Sequence, residues 1–462
     1  MDFLSLPFIT IGLASLLGGA LLSWRAKNPR PVAIASSLIT LLSFLLAARE
    51  VAAAGHARLF DPLLRCFEAD ALDAMPMAFY AALTFIVLLL APKRDAGGRA
   101  LAGMLLISAS TQTAYAAANL ATLAAGWWLT SVPFAFGMFG PQRGQKVTQV
   151  FLAASCIALT AGIILMHTVE INEISHTGKL AFGLLMLAVF LRKGLFPLHG
   201  WMVHAFEHGP LLPTALMFNG HLGALLVARA EGTALPETAQ HALDILGMAA
   251  LATALVTSLR AFAEKKPRRL LARLCVSQAC FILVGLSTVD DKGITGGLLH
   301  WMVVAVATTG LVCILRALEV RISGVADPAG HLGLAVKVPR FATFFFVCGF
   351  ALIGLPGTLG YCAEDLIYHG TLENHSWLGL ALLFTTAFNA INFMRLFGLL
   401  FLGVLPKHVI DIPDALPRER WPLAACMMFL ILGGLFPSTI IRWRAEAASV
   451  IESALGGGQQ HE

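Results

Sequence analysis

Apolar runs about as long as a bilayer is thick follow one another along the whole chain, separated by short polar segments. A helix needs about 20 apolar residues to cross the hydrocarbon core, and the pattern predicts about fourteen such spans. Their approximate centres are Ala14, Thr40, Leu83, Leu106, Gly126, Leu159, Leu185, Leu222, Ala250, Phe281, Val304, Cys348, Phe384 and Leu430. The first run lacks a basic leading region and a clear cleavage site, so we expect a retained span. The pattern predicts an all-α polytopic membrane protein with one membrane domain, residues 1–462.

Composition and charge support this class. The chain is 58% hydrophobic and 13% charged, with a mean hydropathy of +0.78, whereas soluble domains carry roughly 25% charged residues. Basic clusters follow the odd-numbered spans, which places both termini on the outer side of the membrane. The net charge of +5 fits basic loops and requires no nucleic acid. The eight cysteines lie singly and never form CxxC, so we expect buried apolar side chains rather than disulfides or a metal site.

The stretch "FLRKGLFPLHGWM" (190–202) places two cations, a proline and a histidine at the end of an apolar run. Lys193 either extends to the membrane interface or is buried, and spacing alone leaves both readings open. Pro197 favours a broken helix, because it removes a backbone donor inside a span. The segment after it is amphipathic and predicts a helix lying in the interface. For Arg192 we expect extension to the interface.

Further polar residues lie within the later apolar runs. His221, Ser277, Gln278, His300 and Thr309 fall in the runs centred near 222, 281 and 304. "GLPGTLGYCAED" should break the next helix, and it brings Glu364 and Asp365 either to membrane depth or into an ordinary loop. Histidine exchanges protons near neutral pH, although a single buried histidine is more often a packing residue. Ionisable groups in consecutive spans favour proton movement over binding of a bulky substrate.

These segments resemble the antiporter-like subunits shared by respiratory complex I, membrane-bound hydrogenases and Mrp-type sodium/proton antiporters. The family pattern K-x-x-x-P-x-H-x-W is matched by Lys193, Pro197, His199 and Trp201. "HLGALLVAR", "RRLLARLCVSQ", His300 and "GLPGTLGYCAED" match its later motifs in order. The resemblance implies two inverted repeats, residues 100–230 and 240–405, with helices broken near spans 7 and 12. It also implies a transporter subunit without catalytic residues of its own, in the bacterial inner membrane.

Departures from the family pattern bear on function. Proton-pumping members carry a glutamate in span 5 that modulates the span-7 lysine, and Trp128 stands at that position here. The span-8 lysine is replaced by His221 and the span-11 lysine by Val304, whereas the terminal acid is kept as Glu364. Without the glutamate, Lys193 lacks the opposite charge that would stabilise its ammonium form in a low-dielectric interior.

One branch of the family, the DabB subunits of inorganic-carbon accumulation complexes, lacks the same glutamate, and "AGWWLTS" resembles its span-5 pattern. The main functional hypothesis is therefore a proton-conducting subunit coupled to a zinc-binding, carbonic-anhydrase-like DabA-like partner for CO2/bicarbonate uptake. The alternatives are a proton-translocating subunit of a redox complex and a scaffold that has lost conduction. We expect no cofactor in this chain, because His204 and His208 lack a recognisable third zinc ligand. The expected proton pathway consists of Lys193, His199, His221, Ser277, Gln278, His300, Thr309, Glu364 and Asp365.

Overall fold

Apolar helices dominate the computed structural model, which describes residues 2–140, 145–168, 176–231, 236–322, 325, 328, 330–374, 376–405 and 412–454. Within these residues the α-helices are α1 (Phe8–Arg25), α2 (Pro29–Ala53), α3 (Ala74–Leu90), α4 (Gly98–Tyr115), α5 (Leu120–Leu129), α6 (Val132–Ala135), α7 (Gln145–Thr168), α8 (His176–Lys193), α9 (Gly200–His208), α10 (Leu211–Asn219), α11 (Leu222–Glu231), α12 (Pro236–Ala261), α13 (Pro267–Leu286), α14 (Asp291–Arg321), α15 (Pro339–Leu352), α16 (Leu359–Asn374), α17 (Ser376–Phe401), α18 (Pro417–Leu435) and α19 (Ser438–Ala454). Short 3-10 turns lie at Lys93–Asp95 and Leu334–Val336. The prediction of a helical membrane fold is confirmed, with one small sheet in addition.

Helix ends follow local sequence signals. Proline occupies one of the first two positions of α2, α13, α15 and α18, where its missing N–H costs no helical hydrogen bond. Asn119 caps α5 by accepting from the Thr122 N–H at 2.8 Å. Asp290 caps α14 in the same way, accepting from the Gly293 N–H at 3.0 Å. The boundaries of these helices are therefore local properties of the chain.

Eight helical segments in the described part of the chain are long and apolar enough to span a membrane, with α10 and α11 together counted as one. The number is nine if α18 and α19, bent by 81°, form one span. The predicted count of about fourteen is not confirmed by this criterion. Three further apolar helices, α3, the Leu120–Ala135 pair and α15, are shorter than a full span. The difference arises because several apolar runs fold into short or interrupted helices.

The central layer consists of α13 and α14, whose apolar windows are 94% and 100% buried. The 31-residue α14 contacts α3, α10, α13, α15, α16 and α19. At a rise of 1.5 Å per residue it is about 46 Å long, which exceeds the hydrocarbon core. Helices α1, α2 and α17 expose much of their apolar surface, as expected for a lipid-facing layer. The core is therefore a helical centre with lipid-exposed helices around it.

A small sheet covers one end of the bundle. Its strands are β1 (Asp2–Phe3), β2 (Leu59–Phe60) and β3 (Glu68–Ala69), in the order β1-β2-β3. The β1 and β2 strands are parallel, and β2 and β3 are antiparallel, with Leu59 opposite Ala69. This sheet brings the segment before α3 against the ends of α4 and α11.

The predicted interruptions near spans 7 and 12 are present: α8 ends at Lys193, and residues 353–358 separate α15 from α16. The segment after Lys193 differs from the expectation of an interfacial helix. Helix α9 packs against α7, α10 and α13, and Trp201, Val203 and Phe206 are among its buried side chains. Its apolar face is covered by protein rather than lipid. The division into two inverted repeats stays a prediction.

Candidate functional site

Lys193 is the last residue of α8, and its side chain is buried at 8% exposure. The helix ends there because Gly194 adopts a left-handed conformation, φ +65°, and Pro197 follows without an N–H donor. The chain then turns, with the Leu195 N–H donating to the Phe190 carbonyl at 3.1 Å. Of the two readings for Lys193, the structure selects burial.

A second interruption, which the sequence did not predict, lies opposite this lysine. Helix α10 ends at Asn219 and α11 begins at Leu222, with His221 between them at φ +40°. This conformation is unusual for a residue with a Cβ and marks a constrained position. The Lys193 Nζ atom lies 2.7 Å from Nδ1 of the buried His221. Two broken helices therefore place an amine and an imidazole in direct contact.

Asn219 connects this pair to the central helix. Its Nδ2 donates to the Thr309 hydroxyl at 2.9 Å and to the Ala305 carbonyl at 3.1 Å. Thr309 in turn donates to the same Ala305 carbonyl at 2.8 Å. From the other side, the Tyr115 hydroxyl donates to the Gly220 carbonyl at 2.7 Å. The Gly220 carbonyl, which is freed at the break between α10 and α11, is thus satisfied by the Tyr115 hydroxyl, as a buried non-helical backbone requires.

His300, two and a half turns before Thr309 on α14, forms the next contact. Its Nε2 lies 3.0 Å from Oε1 of Gln278 and 3.2 Å from the Gln278 carbonyl. The ring stacks on Phe281 and is completely buried. The Gln278 side chain also lies close enough to the Glu364 carboxylate to interact with it. Gln278 therefore stands between the histidine and the acid.

Glu364 lies in the first half of α16, after the break that the sequence predicted. Its Oε2 accepts from the Thr386 hydroxyl at 3.1 Å. A Cβ at Gly354 would meet Oε2 at 2.6 Å, so the glycine provides the space for the carboxylate. The side chain is half-buried, whereas Asp365 is exposed at 47% and lies 3.7 Å from His369. The structure thus separates the two adjacent acids.

Ser277 and His199 lie beside this series. The Ser277 hydroxyl donates to the Ala254 carbonyl at 3.0 Å and accepts from Asn389 Nδ2 at 2.9 Å. His199 is buried, with Nε2 3.5 Å from the Arg260 guanidinium. Its ring stacks on Phe196. Asn389, Thr386 and Asn219 were not among the predicted site residues, although each is a polar residue within an apolar run.

Several buried polar atoms in this region have no hydrogen-bond partner among the described residues. They are His221 Nε2, His300 Nδ1, Glu364 Oε1 and Asn219 Oδ1. Leaving a buried polar atom unsatisfied costs about 1–3 kcal/mol, and ordered water normally occupies such positions. These atoms mark where waters would join the contacting pairs into a longer series.

The expectation that Arg192 extends to the interface is wrong. Its side chain is 6% exposed, and the guanidinium lies 5.2 Å from the Trp127 ring. It donates to the hydroxyls of Thr130 and, at 3.2 Å, Ser131. A fixed planar donor set suits hydroxyl acceptors and an aromatic face. The "WWLTS" segment therefore binds Arg192.

Trp128, which replaces the family's glutamate, does not face Lys193. It is 44% exposed, and its Nε1 donates to the Thr160 hydroxyl at 2.9 Å. His221 is instead the polar neighbour of the lysine.

No group of three or more histidine, cysteine or acidic side chains suited to a metal occurs in the described ranges. The His204 and His208 rings lie 4.4 Å apart, with Glu207 beside them. All eight cysteines are described, none is paired with another, and six of them are buried, as expected for packing side chains.

A family model described as NADH:quinone oxidoreductase/Mrp antiporter, TM, matches residues 100–389. NADH-quinone oxidoreductase subunit N of Desulforudis audaxviator is 30% identical over 298 residues, 60% of this chain and 57% of that protein. Subunit 13 of Thermus thermophilus is 26% identical and covers 92% of this chain and 93% of its own length. The first three curated relatives are matched over 57 to 61% of their lengths.

A chain of the solved respiratory complex I from Thermus thermophilus with bound NADH superposes with a TM-score of 0.85. It covers 97% of this chain and 99% of its own at 21% identity. At this identity the likeness establishes the fold.

Proposed function

Because the chain belongs to the NADH:quinone oxidoreductase/Mrp antiporter transmembrane family, we propose that it is a proton-translocating, antiporter-like subunit of a larger membrane complex. Curated relatives are named as subunits of NADH-quinone oxidoreductases, which supports a multi-subunit assembly. The bacterial inner membrane is the proposed location. This is the second of the sequence-based hypotheses, and the comparisons favour it over carbon uptake.

The observation that carries this proposal is the 2.7 Å contact between Lys193 Nζ and His221 Nδ1. Proton transfer requires hydrogen-bond reach of about 3 Å or one bridging water. An amine and an imidazole in contact can hold one proton between them; when Nδ1 takes up that proton, the imidazolium releases the proton of Nε2 to the next acceptor, and rotation of the ring restores the starting state. His221 Nε2 is buried without a partner among the described residues, so it is available for that step.

From His221 the proposed route continues through polar side chains of α14, α13 and α16. Thr309 and Asn219 hold water near the imidazole, and His300 passes the proton along Gln278 toward Glu364. Ser277 keeps Asn389 in position beside this route. We assign His199 to the Lys193 end of the route and Asp365 to the Glu364 end. Each step uses a group that either holds a proton or orients a water.

The test is proton flux in vesicles that contain the purified chain or its native complex, followed with a pH-sensitive dye. Lys193→Ala and Glu364→Ala are each expected to abolish flux while assembly is retained. Glu373→Gln is the matched control, because Glu373 is an exposed acid paired with Lys292 at 2.7 Å. Wild-type flux in both pathway variants would contradict the relay, and absence of flux in the wild type would support a scaffold.

A second candidate is a DabB-like subunit that couples a proton gradient to CO2/bicarbonate uptake through a zinc-binding DabA-like partner. It is favoured by the span-5 segment, in which Trp127, Thr130 and Ser131 hold Arg192, and by Lys193, which contacts His221 rather than an acid among the described residues. Zinc analysis of the complex purified through this chain discriminates the two candidates. A stoichiometric zinc subunit, with bicarbonate uptake lost on deletion of this chain, supports this candidate, and co-purifying redox subunits exclude it.

A further inference from the structure

Three carboxylates cluster at the end of the bundle that carries the small sheet, and two of them line a cavity there. Glu68 and Asp70 flank the end of β3, and Asp73 immediately precedes α3. Glu68, Asp70 and the Arg229 side chain at the end of α11 line a cavity of about 450 Å³. Glu68, Asp70 and Asp73 lie outside residues 100–389, so the family match does not include them.

The carboxylates outnumber the guanidinium groups that pair with them. Arg229 donates to Asp70 at 2.7 Å and to Asp73, and its Nη2 lies 3.8 Å from Oε1 of Glu68. Arg58 pairs with Glu68 at 2.5 Å. Three acids therefore share two guanidinium groups. Arg444 is a third guanidinium in this region, but it donates to backbone carbonyls, so one acid has no guanidinium bonded to it alone, which favours a retained proton.

Asp73 is the acid whose hydrogen bonding these ion pairs leave incomplete. It is completely buried, and its Oδ1 has no hydrogen-bond partner among the described residues. Arg444 of α19 is buried nearby, but it donates to the Ala71 and Leu72 carbonyls at 2.7 and 3.2 Å. The second oxygen of Asp73 is therefore free to carry a proton.

The remaining charged groups around Asp73 come from α2, α4 and α19. His56, just after α2, pairs with Glu446 of α19, so these two side chains interact with each other rather than with Asp73. Tyr115 at the end of α4 is close enough to interact electrostatically with Asp73. None of these groups supplies a hydrogen bond to Oδ1.

The titration of the acids agrees with this geometry. Burial raises the pKa of Asp73 to about 8, with repulsion from Asp70 and Glu68 adding to the effect and Arg229 opposing it. Burial also acts on Asp70, but the Arg229 guanidinium outweighs it and lowers the pKa of Asp70. Adjacent acids on one arginine thus separate into a charged and a protonated member.

Polar side chains lie between the cavity and the central lysine–histidine pair. Arg229 lies eight residues beyond His221 along α11, a rise of about 12 Å. Tyr115 donates to the Gly220 carbonyl beside His221. A second cavity of about 10 Å³ is lined by Tyr80, Tyr115 and Asn219. This volume is about that of one water, and the Asn219 Oδ1 lacks a partner in the described part of the chain.

We propose that Asp73, with Glu68, Asp70 and Arg229, forms a proton-binding site at the outer end of a lateral branch that leaves the pathway at His221 and Asn219 and passes Tyr115. The site binds a proton on the Asp73 carboxylate and exchanges it with water in the larger cavity by way of Asp70, which lines that cavity and shares Arg229 with Asp73. The branch rests on the proposed function, whereas proton binding at Asp73 does not. The family's terminal acid, Glu364, lies on another helix, so the branch is an addition to that route.

The test combines a direct probe of protonation with a probe of flux, both on the full-length chain in vesicles. Infrared difference spectroscopy between acidic and alkaline buffer is expected to show a protonated-carboxyl band that titrates near neutral pH. Asp73→Asn should remove this band and reduce flux by about tenfold or more. Asp73→Glu should shift the band, which keeps the test valid if the asparagine variant does not fold.

Two further variants separate the branch from the site. Tyr115→Phe removes the hydroxyl near Gly220 and is expected to reduce flux while the infrared band remains. Glu373→Gln, an exposed acid in an ion pair, should change neither. An identical band in wild type, Asp73→Asn and Asp73→Glu would overturn the proton-binding site, and unchanged flux in Asp73→Asn and Tyr115→Phe would overturn the branch. A titrating Asp73 band in a wild-type chain without flux would leave the site standing and refute the proposed function.

Discussion

The Nζ atom of Lys193, the last residue of α8, lies 2.7 Å from Nδ1 of His221, which lies in the break between α10 and α11. Each interruption frees backbone groups that neighbouring side chains satisfy, and each places a titratable side chain away from regular helix geometry. The pair replaces the lysine–glutamate pairing expected from the family with a contact between two nitrogen bases. Only one of the two can be protonated at low cost, since two adjacent cations repel each other.

The contact predicts that two different substitutions of His221 both stop proton flux. His221→Ala leaves Lys193 without its acceptor and is expected to reduce proton flux by about 100-fold or more. His221→Gln keeps a side chain of hydrogen-bonding type but cannot relay a proton near neutral pH, so it should retain assembly and lose flux equally. Flux is measured in vesicles with a pH-sensitive dye. Full activity in the glutamine variant would show that the imidazole orients Lys193 without carrying protons.

Gly223 allows the lysine to reach its position. A Cβ at Gly223 would meet Lys193 Cγ at 2.8 Å and Val189 Cγ1 at 3.2 Å, so Gly223→Ala should displace the lysine stem and reduce flux. The matched control is Gly183→Ala on α8, where nothing lies within 4 Å of the added methyl group. Thermal unfolding in detergent distinguishes displacement of Lys193 from general destabilisation. Equal flux in the two variants would contradict the close approach.

Thr130 accepts a hydrogen bond from the buried Arg192 guanidinium. Thr130→Val removes that acceptor without a large change in volume and leaves a buried charged donor unsatisfied, at a cost of about 1–3 kcal/mol. Its unfolding temperature in detergent should fall below that of Thr343→Val, a control in which the hydroxyl is exposed and bonds only to its own helix. Equal stability of the two variants would show that Arg192 is satisfied in another way.

The raised pKa of Asp73 predicts how stability depends on pH. The group takes up its proton more readily when folded, so the folded state binds more protons between the ordinary pKa of 3.8 and the folded value of about 8. Stability therefore falls as pH rises through this interval. Asp73→Asn should flatten the dependence, leaving the smaller contribution of Glu68, whose pKa burial also raises. The measurement is unfolding temperature against pH, and parallel curves for wild type and variant would contradict the assignment.

Much of the architecture was predictable because membrane helices are determined by local properties. Apolar length specified the helical class, and Pro197 and the glycine-rich "GLPGTLG" segment predicted the two interruptions that the structure contains. These features depend on backbone donors and on hydrophobicity, both of which can be read residue by residue. The number of spans could not be read in this way, because α3 and α15 are shorter than the apolar runs implied.

The sequence by itself determined the helical membrane class and the break after Lys193, and it supplied the residue types of the proposed pathway. The tertiary structure decided which polar groups meet. It buried Arg192 against Trp127, turned Trp128 outward, interrupted the eighth run at His221 and separated Glu364 from Asp365. It also gathered Asp73, Arg229 and Arg444 from distant parts of the chain. Such contacts depend on helix rotation and packing between segments far apart in sequence, which the hydrophobic pattern of each segment does not specify.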